Sequence, residues 1–228
     1  MSVRLAIDAA TDRLSVAAGR GGADPVERGL IGARHHAGAL LGLIDEVLHV
    51  LRAGKTDIDL IAVADGPGGF TGLRVSFAAA KALARDGVTL LTAPSLLVRA
   101  ATGAGSGERV LAVASALRGE VYAGAWQLFL PDRIDPLFPP RTLGFSEIAL
   151  LPSVDRIVGD APPEIAAALG GVGEGYPAGS ALLGLIGVPG GTTVIGDSAG
   201  FEPNYGRPAE AQVKWEREHG RPLPSPGR

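Results

Sequence analysis

The densest group of residues able to do chemistry is Asp65-Gly66-Pro67-Gly68-Gly69-Phe70-Thr71-Gly72-Leu73-Arg74. It follows a strand-like run, Leu60 to Ala64, and opens a helix-like run, Leu73 to Arg85. Its glycines and proline make a tight strand-to-helix turn with little side chain in the way. Such a turn brings backbone N–H groups to a helix N-terminus, where they can meet a phosphate or a partner's backbone. The nucleotide signatures stay incomplete. A P-loop needs Lys and then Ser/Thr after the last glycine, where this chain has Leu73-Arg74, and the dinucleotide fingerprint needs glycine where Thr71 stands. The spacing favours a structural turn that docks a helix over a phosphate cradle.

Other residues offer narrower chemistry. Asp8 ends an apolar strand, and a turn carries the chain to Thr11. An acid there can serve a phosphate-bound metal, but a turn or cap role is commoner. Gly196-Asp197-Ser198-Ala199-Gly200 fits the spacing of a nucleophile elbow. That motif needs a helix directly after the turn, and Phe201-Glu202-Pro203 argues against one. The only later histidine is His219, so a serine hydrolase is disfavoured. His35 and His36 are adjacent and point apart on a helix, which favours a solvent or interface role over a metal pair. Trp215 beside Lys214 could stack on RNA; a tail helix that packs Trp215 on the first half is the preferred reading.

These residues need a scaffold, and the composition bounds it. The 228 residues allow one domain or two small ones. With 34 glycines and only 5% aromatics, the core must be built mainly from Val, Ile, Leu and Ala. A net charge of −3 without a basic block argues against tight autonomous binding of nucleic acid. The absence of cysteine removes disulfides, thiolate metal sites and Cys nucleophiles. The N-terminus enters a strand at once, and no stretch reaches the length of a membrane span. The expectation is a soluble cytoplasmic protein without a membrane partner.

Periodicity supplies the elements. Strands are expected at Val3–Asp8, Leu14–Ala18 and Pro25–Ile31. A helix follows from about His36 to Arg52, with apolar residues at three- and four-residue spacing, ended by Gly54. Strand Leu60–Ala64, helix Leu73–Arg85 and strand Val88–Thr92 complete a βββαβαβ half. Helix Ser95–Ala101 leads to a flexible joint at Gly103–Gly107. Strands at Val110–Ala114, Glu120–Trp126 and Arg141–Leu143, a short helix capped by Ser146, strand Arg156–Gly159 and helix Pro163–Leu169 echo the first half as βββαβα. Gly170–Gly191 has no clear reading, Thr192–Ile195 suggests a last strand, and a tail helix is expected at Ala209–Glu218. The division is 1–102, 103–200 and 201–228: a first half, a reduced second half and a tail returning to the first half. This is the α/β plan of the actin, hexokinase and Hsp70 class, with two ribonuclease H-like subdomains. In that plan phosphates lie between two acid-bearing hairpins. The second hairpin here, Ser115-Ala116-Leu117-Arg118-Gly119, has no acid before its turn, so Asp8 and Thr11 stand as a vestigial phosphate site.

The motifs also carry a resemblance. Gly66-Pro67-Gly68-Gly69-Phe70-Thr71-Gly72-Leu73-Arg74 resembles the glycine-rich motif of the TsaB (YeaZ) family. Leu5 to Thr11, Arg34-His35-His36 with Leu40-Leu41, Gly119-Glu120-Val121-Tyr122, Pro203 to Arg207 and Ala211 to Trp215 are similar to other signatures of that family. The resemblance implies a non-catalytic partner of a TsaD-like transferase. Together with a TsaE-like ATPase, that pair places a threonylcarbamoyl group on N6 of adenosine 37 in tRNAs reading ANN codons. The resemblance implies no cofactor bound by this chain alone, with ATP or ADP at the complex interface, and contact with tRNA only through the complex. TsaD carries metal-binding histidines; here the matching stretch, Thr92 to Val98, has no His, Asp, Glu or Cys. Against the family pattern, Gly69 replaces Ser, Asp65 stands where Arg is common, Gly42 where Pro is common, and Ser115-Ala116-Leu117 replaces Asp-Ala-Arg. The alternative is a small-molecule kinase or ATPase of the same fold, which the missing second acidic hairpin disfavours.

The two first-half helices suggest how a partner would bind. The second is apolar or small nearly all round, with a charged stripe at Arg74, Lys81 and Arg85. Gly72, Ser76, Ala79 and Leu83 recur on one side of it, and Gly38 and Gly42 lie on the first helix. The expected partner interface comprises His36, Gly38, Gly42, Gly68, Phe70, Thr71, Gly72, Arg74, Ser76, Ala79 and Leu83, for a TsaD-like protein or, in isolation, a homodimer.

Overall fold

The computed structural model describes residues 2–21, 24–32, 35–84, 87–197, 200–206 and 220. The expected tail helix with Trp215, the Arg34 and Arg207 ends of two motifs, His219, and Ser198 of the elbow spacing all lie outside these residues. So does Arg85.

The first half forms as the periodicity predicts. β1 (Val3–Asp8), β2 (Arg13–Gly19), β3 (Val26–Ile31), α1 (His36–Val50), β4 (Ile58–Ala64), α2 (Phe70–Leu83) and β5 (Thr89–Ala93) follow one another. β1 pairs antiparallel with β2 and parallel with β4, which pairs parallel with β5. α3 (Ser95–Ala101) then leads into the second half: β6 (Glu108–Ser115), β7 (Val121–Phe129), β8 (Arg133–Leu143), β9 (Arg156–Gly159) and α4 (Pro163–Ala168).

Some boundaries differ from the sequence reading, each for a local reason. α2 begins at Phe70 because Gly69 already has the extended conformation of a cap. α1 ends before Gly54: Arg52 takes a left-handed φ of 50° and donates to His49 O, while Ala53 donates to Leu48 O. The 3-10 turn Phe145–Leu150 is capped by Gly144 N–H donating to Glu147 Oε2 at 3.0 Å, so Ser146 is not its cap. β8 is eleven residues long despite Pro136, Pro139 and Pro140, because it is an edge strand.

The larger difference lies after residue 170. α5 (Gly179–Gly184) crosses back to the first sheet, packing on β1 and β2. Gly179 N–H donates to Ser15 Oγ at 2.8 Å there. β10 (Thr193–Val194) pairs antiparallel with β5. The first sheet is therefore six-stranded, in the order β10-β5-β4-β1-β2-β3, and the second four-stranded, β8-β7-β6-β9. The span 103–200 thus contributes a helix and a strand to the first half.

Alternation along the strands sets the layers. Leu5, Ile7, Ile61 and Val63 face α1 and α2, while Ala6, Ala62 and Ala64 face α3 and α5. Val110, Ala112 and Val158 cover α3 from the second sheet, whose other face, with Leu111, Val113 and Ala123, packs on α4. α3 is buried at all seven positions, as expected of a helix held between two sheets. One apolar core therefore spans both sheets.

Candidate functional site

The C-terminal ends of β1 and β4 meet the start of α2, and the glycine-rich turn fills the corner. Gly69 N–H donates to Ala10 O at 2.7 Å, Gly66 N–H to Ser95 Oγ at 2.9 Å, and Leu73 N–H to Gly69 O at 3.0 Å. These amides are spent inside the chain, where a phosphate cradle would leave them free. Gly68 and Gly72 lie against the backbone of Ala10 and Ala9, too close for any β-carbon. The turn is glycine-rich because two chain segments touch there.

Asp8 has no exposed surface. Its Oδ1 accepts from Ala10 N–H at 3.0 Å, and its Oδ2 is buried without a hydrogen-bond partner. Burial pushes its carboxyl up to about 7, against the pull of the Ala10 amide and the Arg99 charge. Thr11 Oγ1 accepts from Arg13 N–H at 3.1 Å, closing the hairpin turn. The vestigial pair is thus a buried acid and a turn residue. Asp65, half-buried after β4, is raised by burial to about 6, opposed by its own amide and the Thr92 hydroxyl.

The expected partner residues separate into two sets. His36, Gly72 and Ser76 are buried by their own chain and offer a partner no surface. His36 Nε2 lies 3.0 Å from Asp12 O, which can only accept, so the ring proton sits on Nε2. The sequence reading of His36 as a solvent or interface residue is corrected by this burial. Ser76 Oγ turns back onto Leu73 O at 3.0 Å. Gly68 is half-buried against Ala10, and Ala79 and Leu83 are half-buried against the core. Gly38, Gly42, Phe70, Thr71 and Arg74 are exposed.

The sequence reading missed several residues of that exposed face. On α1, Ala37 and Leu41 stand beside Gly38 and Gly42; on α2, Ala78 and Ala82 continue from Arg74. Leu41 is 54% exposed, and no atom stands within 4 Å of where a side chain on Gly38 or Gly42 would begin. Steps of three and four from Leu41 and Arg74 would have found this face. α1 and α2 pack side by side on the same face of the first sheet.

Between the two sheets lies a cleft of about 1560 Å³. One face of α2 from Phe70 to Lys81, with Arg74 and Ala78 on it, the first turns of α3, the two hairpin turns, and Phe201, Glu202, Pro203 and Tyr205 line it. All three tyrosines line it, as do Phe70, Phe77 and Phe201. At its floor Arg99, 3% exposed, donates from Nη1 to Val113 O and to Asp160 Oδ1 at 2.8 Å. Asp160 Oδ2 accepts from Ser115 N–H at 2.9 Å. Burial raises the Asp160 carboxyl, but these bonds outweigh it and hold the group below the usual range. Among the described residues no three His, Cys, Asp or Glu side chains cluster as a metal site. No helix among them is long and apolar enough to cross a membrane.

Comparison with known proteins places this geometry. The model of the family described as "TsaD: tRNA N6-adenosine threonylcarbamoyltransferase" matches residues 16–160. The tRNA threonylcarbamoyladenosine biosynthesis protein TsaB of Escherichia coli (strain K12) is 35% identical over 126 residues, 54% of this chain and 54% of that protein. The TsaB protein of Haemophilus influenzae is 34% identical over 122 residues, 52% of this chain and 51% of that protein. The chain spans about half the length of these curated relatives in each match. Among solved structures, YeaZ from Pseudomonas aeruginosa superposes with a TM-score of 0.67 at 25% identity, over 80% of this chain and 89% of that one. A protein described as similar to peptidase YEAZ from Pseudomonas aeruginosa shares the fold, with a TM-score of 0.72 at 23% identity over 91% of this chain and 100% of that one. The family model covers well over half of the sequence and the similar proteins are TsaB and YeaZ, so the chain belongs to the TsaD family, in its TsaB/YeaZ group with the actin-like ATPase fold.

Proposed function

We propose that this chain serves the formation of N6-threonylcarbamoyladenosine in tRNA as a non-catalytic partner of a TsaD-like transferase, docking through the exposed face of α1 and α2. The names of its relatives support the pathway. The single observation that carries the docking role is the exposure of Gly38, Leu41 and Gly42 on α1 and of Ala78 and Ala82 on α2, where small residues leave room for a partner's helices and Leu41 offers apolar area. Each interior glycine costs a helix roughly 1 kcal/mol against alanine, which close approach by a partner would offset. In isolation the same face would pair two copies of the chain. A TsaE-like ATPase would act on the assembled pair, and any ATP or ADP would sit at the complex interface. The kinase or ATPase alternative draws no support from the Gly66 and Gly69 amides, which are used internally, or from Asp8, which is buried.

The test is calorimetric titration of the chain into the purified TsaD-like protein of the same organism. The parent should bind, and Gly42→Arg should bind at least tenfold more weakly while melting at the same temperature. Equal affinities for parent and variant would place the interface elsewhere.

A further inference from the structure

Two-lobed folds that work on nucleotides open and close about a hinge between their lobes. Here the chain crosses between the two sheets repeatedly, and each crossing is fastened. Arg99 leaves α3 and bonds Val113 and Asp160 of the second half. Gly159, at φ +127°, lets this guanidinium pass: a β-carbon there would collide with Val113 O and Arg99 Nη1. α5 returns to the first sheet, with Gly179 on Ser15 and Ser180 N–H on Glu27 Oε2 at 3.2 Å. β10 then joins β5, although Pro189, just before it, accepts from Ile134 of β8.

The last crossing is a strap, Phe201–Gly206. On the first-half side Phe201 stacks on Phe77 at 5.2 Å between centroids, and Asn204 N–H donates to Asp65 O at 2.7 Å. On the second-half side Tyr122 Oη donates to Tyr205 O at 3.4 Å and Thr142 Oγ1 to Gly206 O at 3.3 Å. The floor of the cleft and one wall are thus tied across the same gap, over a core that both sheets share.

We infer that Arg99 and the 201–206 strap lock the two halves into one rigid body, so that the cleft does not open and close. The buried guanidinium is the resident cation of the cleft floor, holding the end of β6 against α3 through Val113, Asp160 and Ser115. The lock holds whether or not a partner docks on α1 and α2, so its failure would leave the docking proposal standing.

The absence of cysteine makes the test clean. Spin labels on Asp12→Cys and Glu164→Cys, exposed residues on the two halves, report the distance across the cleft by pulsed electron resonance. The parent should give one narrow distribution, unchanged by millimolar ATP with Mg²⁺. A second population, or a nucleotide-dependent shift, would overturn the lock. Arg99→Gln removes the fastening directly. Because a buried change of that kind can prevent folding, Asp160→Ala, at an exposed side chain, gives a second reading. In Asp160→Ala the distribution should broaden, and the Ser115 amide should exchange with solvent at least tenfold faster. A folded Asp160→Ala protein with parent-like distances and exchange would show that Arg99 and Asp160 do not fasten the halves.

Discussion

Gly72, on the first turn of α2, lies directly against the carbonyl oxygen of Ala9, with no room for a β-carbon between them. Gly68 stands in the same relation to Ala10. The glycines of the turn therefore set how closely α2 approaches the end of β1. Gly72→Ala should lower stability by about 2 kcal/mol or more, in the range of overpacking at a site where backbone must move. Urea denaturation measures this; a loss under 0.5 kcal/mol would mean that the contact yields freely.

The buried Asp8 predicts an unusual pH dependence. Its carboxyl holds its proton up to about pH 7 in the folded chain, against a value near 3.8 when unfolded. Between these limits the folded state binds more protons than the unfolded state, so stability falls as pH rises. The contribution lost between pH 5 and pH 8 is roughly 2–3 kcal/mol at 1.36 kcal/mol per unit. Asp8→Asn keeps an acceptor for the Ala10 amide and cannot ionise. The gap between variant and parent should move in the variant's favour by that amount from pH 5 to pH 8. Parallel curves would show that Asp8 is charged throughout.

Leu41 and Gly42 stand on the open face of α1, away from the core. Leu41→Glu should leave the melting temperature within about a degree, since exposed substitutions seldom exceed 0.5 kcal/mol. The same change should weaken partner binding and shift any homodimer towards monomer in analytical ultracentrifugation. A dimer unaffected by Leu41→Glu would exclude this face from self-association.

The strap depends on Phe201, whose ring stacks on Phe77 and whose carbonyl accepts from Lys81 Nζ at 3.0 Å. Phe201→Ala should cost about 1–3 kcal/mol, below the range for a fully buried ring because Phe201 is half-buried. Amide exchange at Asn204, which donates to Asp65 O, should quicken in the same variant. Unchanged protection there would show that Phe201 does not hold the strap.

How much was legible in the sequence follows from which forces are local. The first-half helix α1 was legible from three-to-four spacing because it buries one face on the sheet, and strands β1, β2 and β4 from short apolar runs between turn residues because both of their faces are buried. α3 was legible as a helix from seven apolar-rich residues, but its place between two sheets was not. The paths of α5 and β10 were hidden because short glycine-rich elements get their stability from distant partners, here Ser15 and β5. At the candidate site, the motif was visible but its direction was not. Spacing put Gly72 and Ser76 on one helix stripe and did not say that the stripe faces inward. His36 was misread for the same reason: its partner, Asp12 O, lies on the turn across the corner.

The proposed role is to support tRNA threonylcarbamoylation by gripping a transferase while performing none of the chemistry. The most direct measurement is reconstitution of threonylcarbamoyl transfer to tRNA with a TsaD-like transferase and a TsaE-like ATPase, adding either the parent chain, Gly42→Arg, or the chain alone without the others. Modification should require the parent, fall at least tenfold with Gly42→Arg, and be absent with the chain alone. Transfer or ATP turnover by the chain alone, or full activity with Gly42→Arg, would contradict the account.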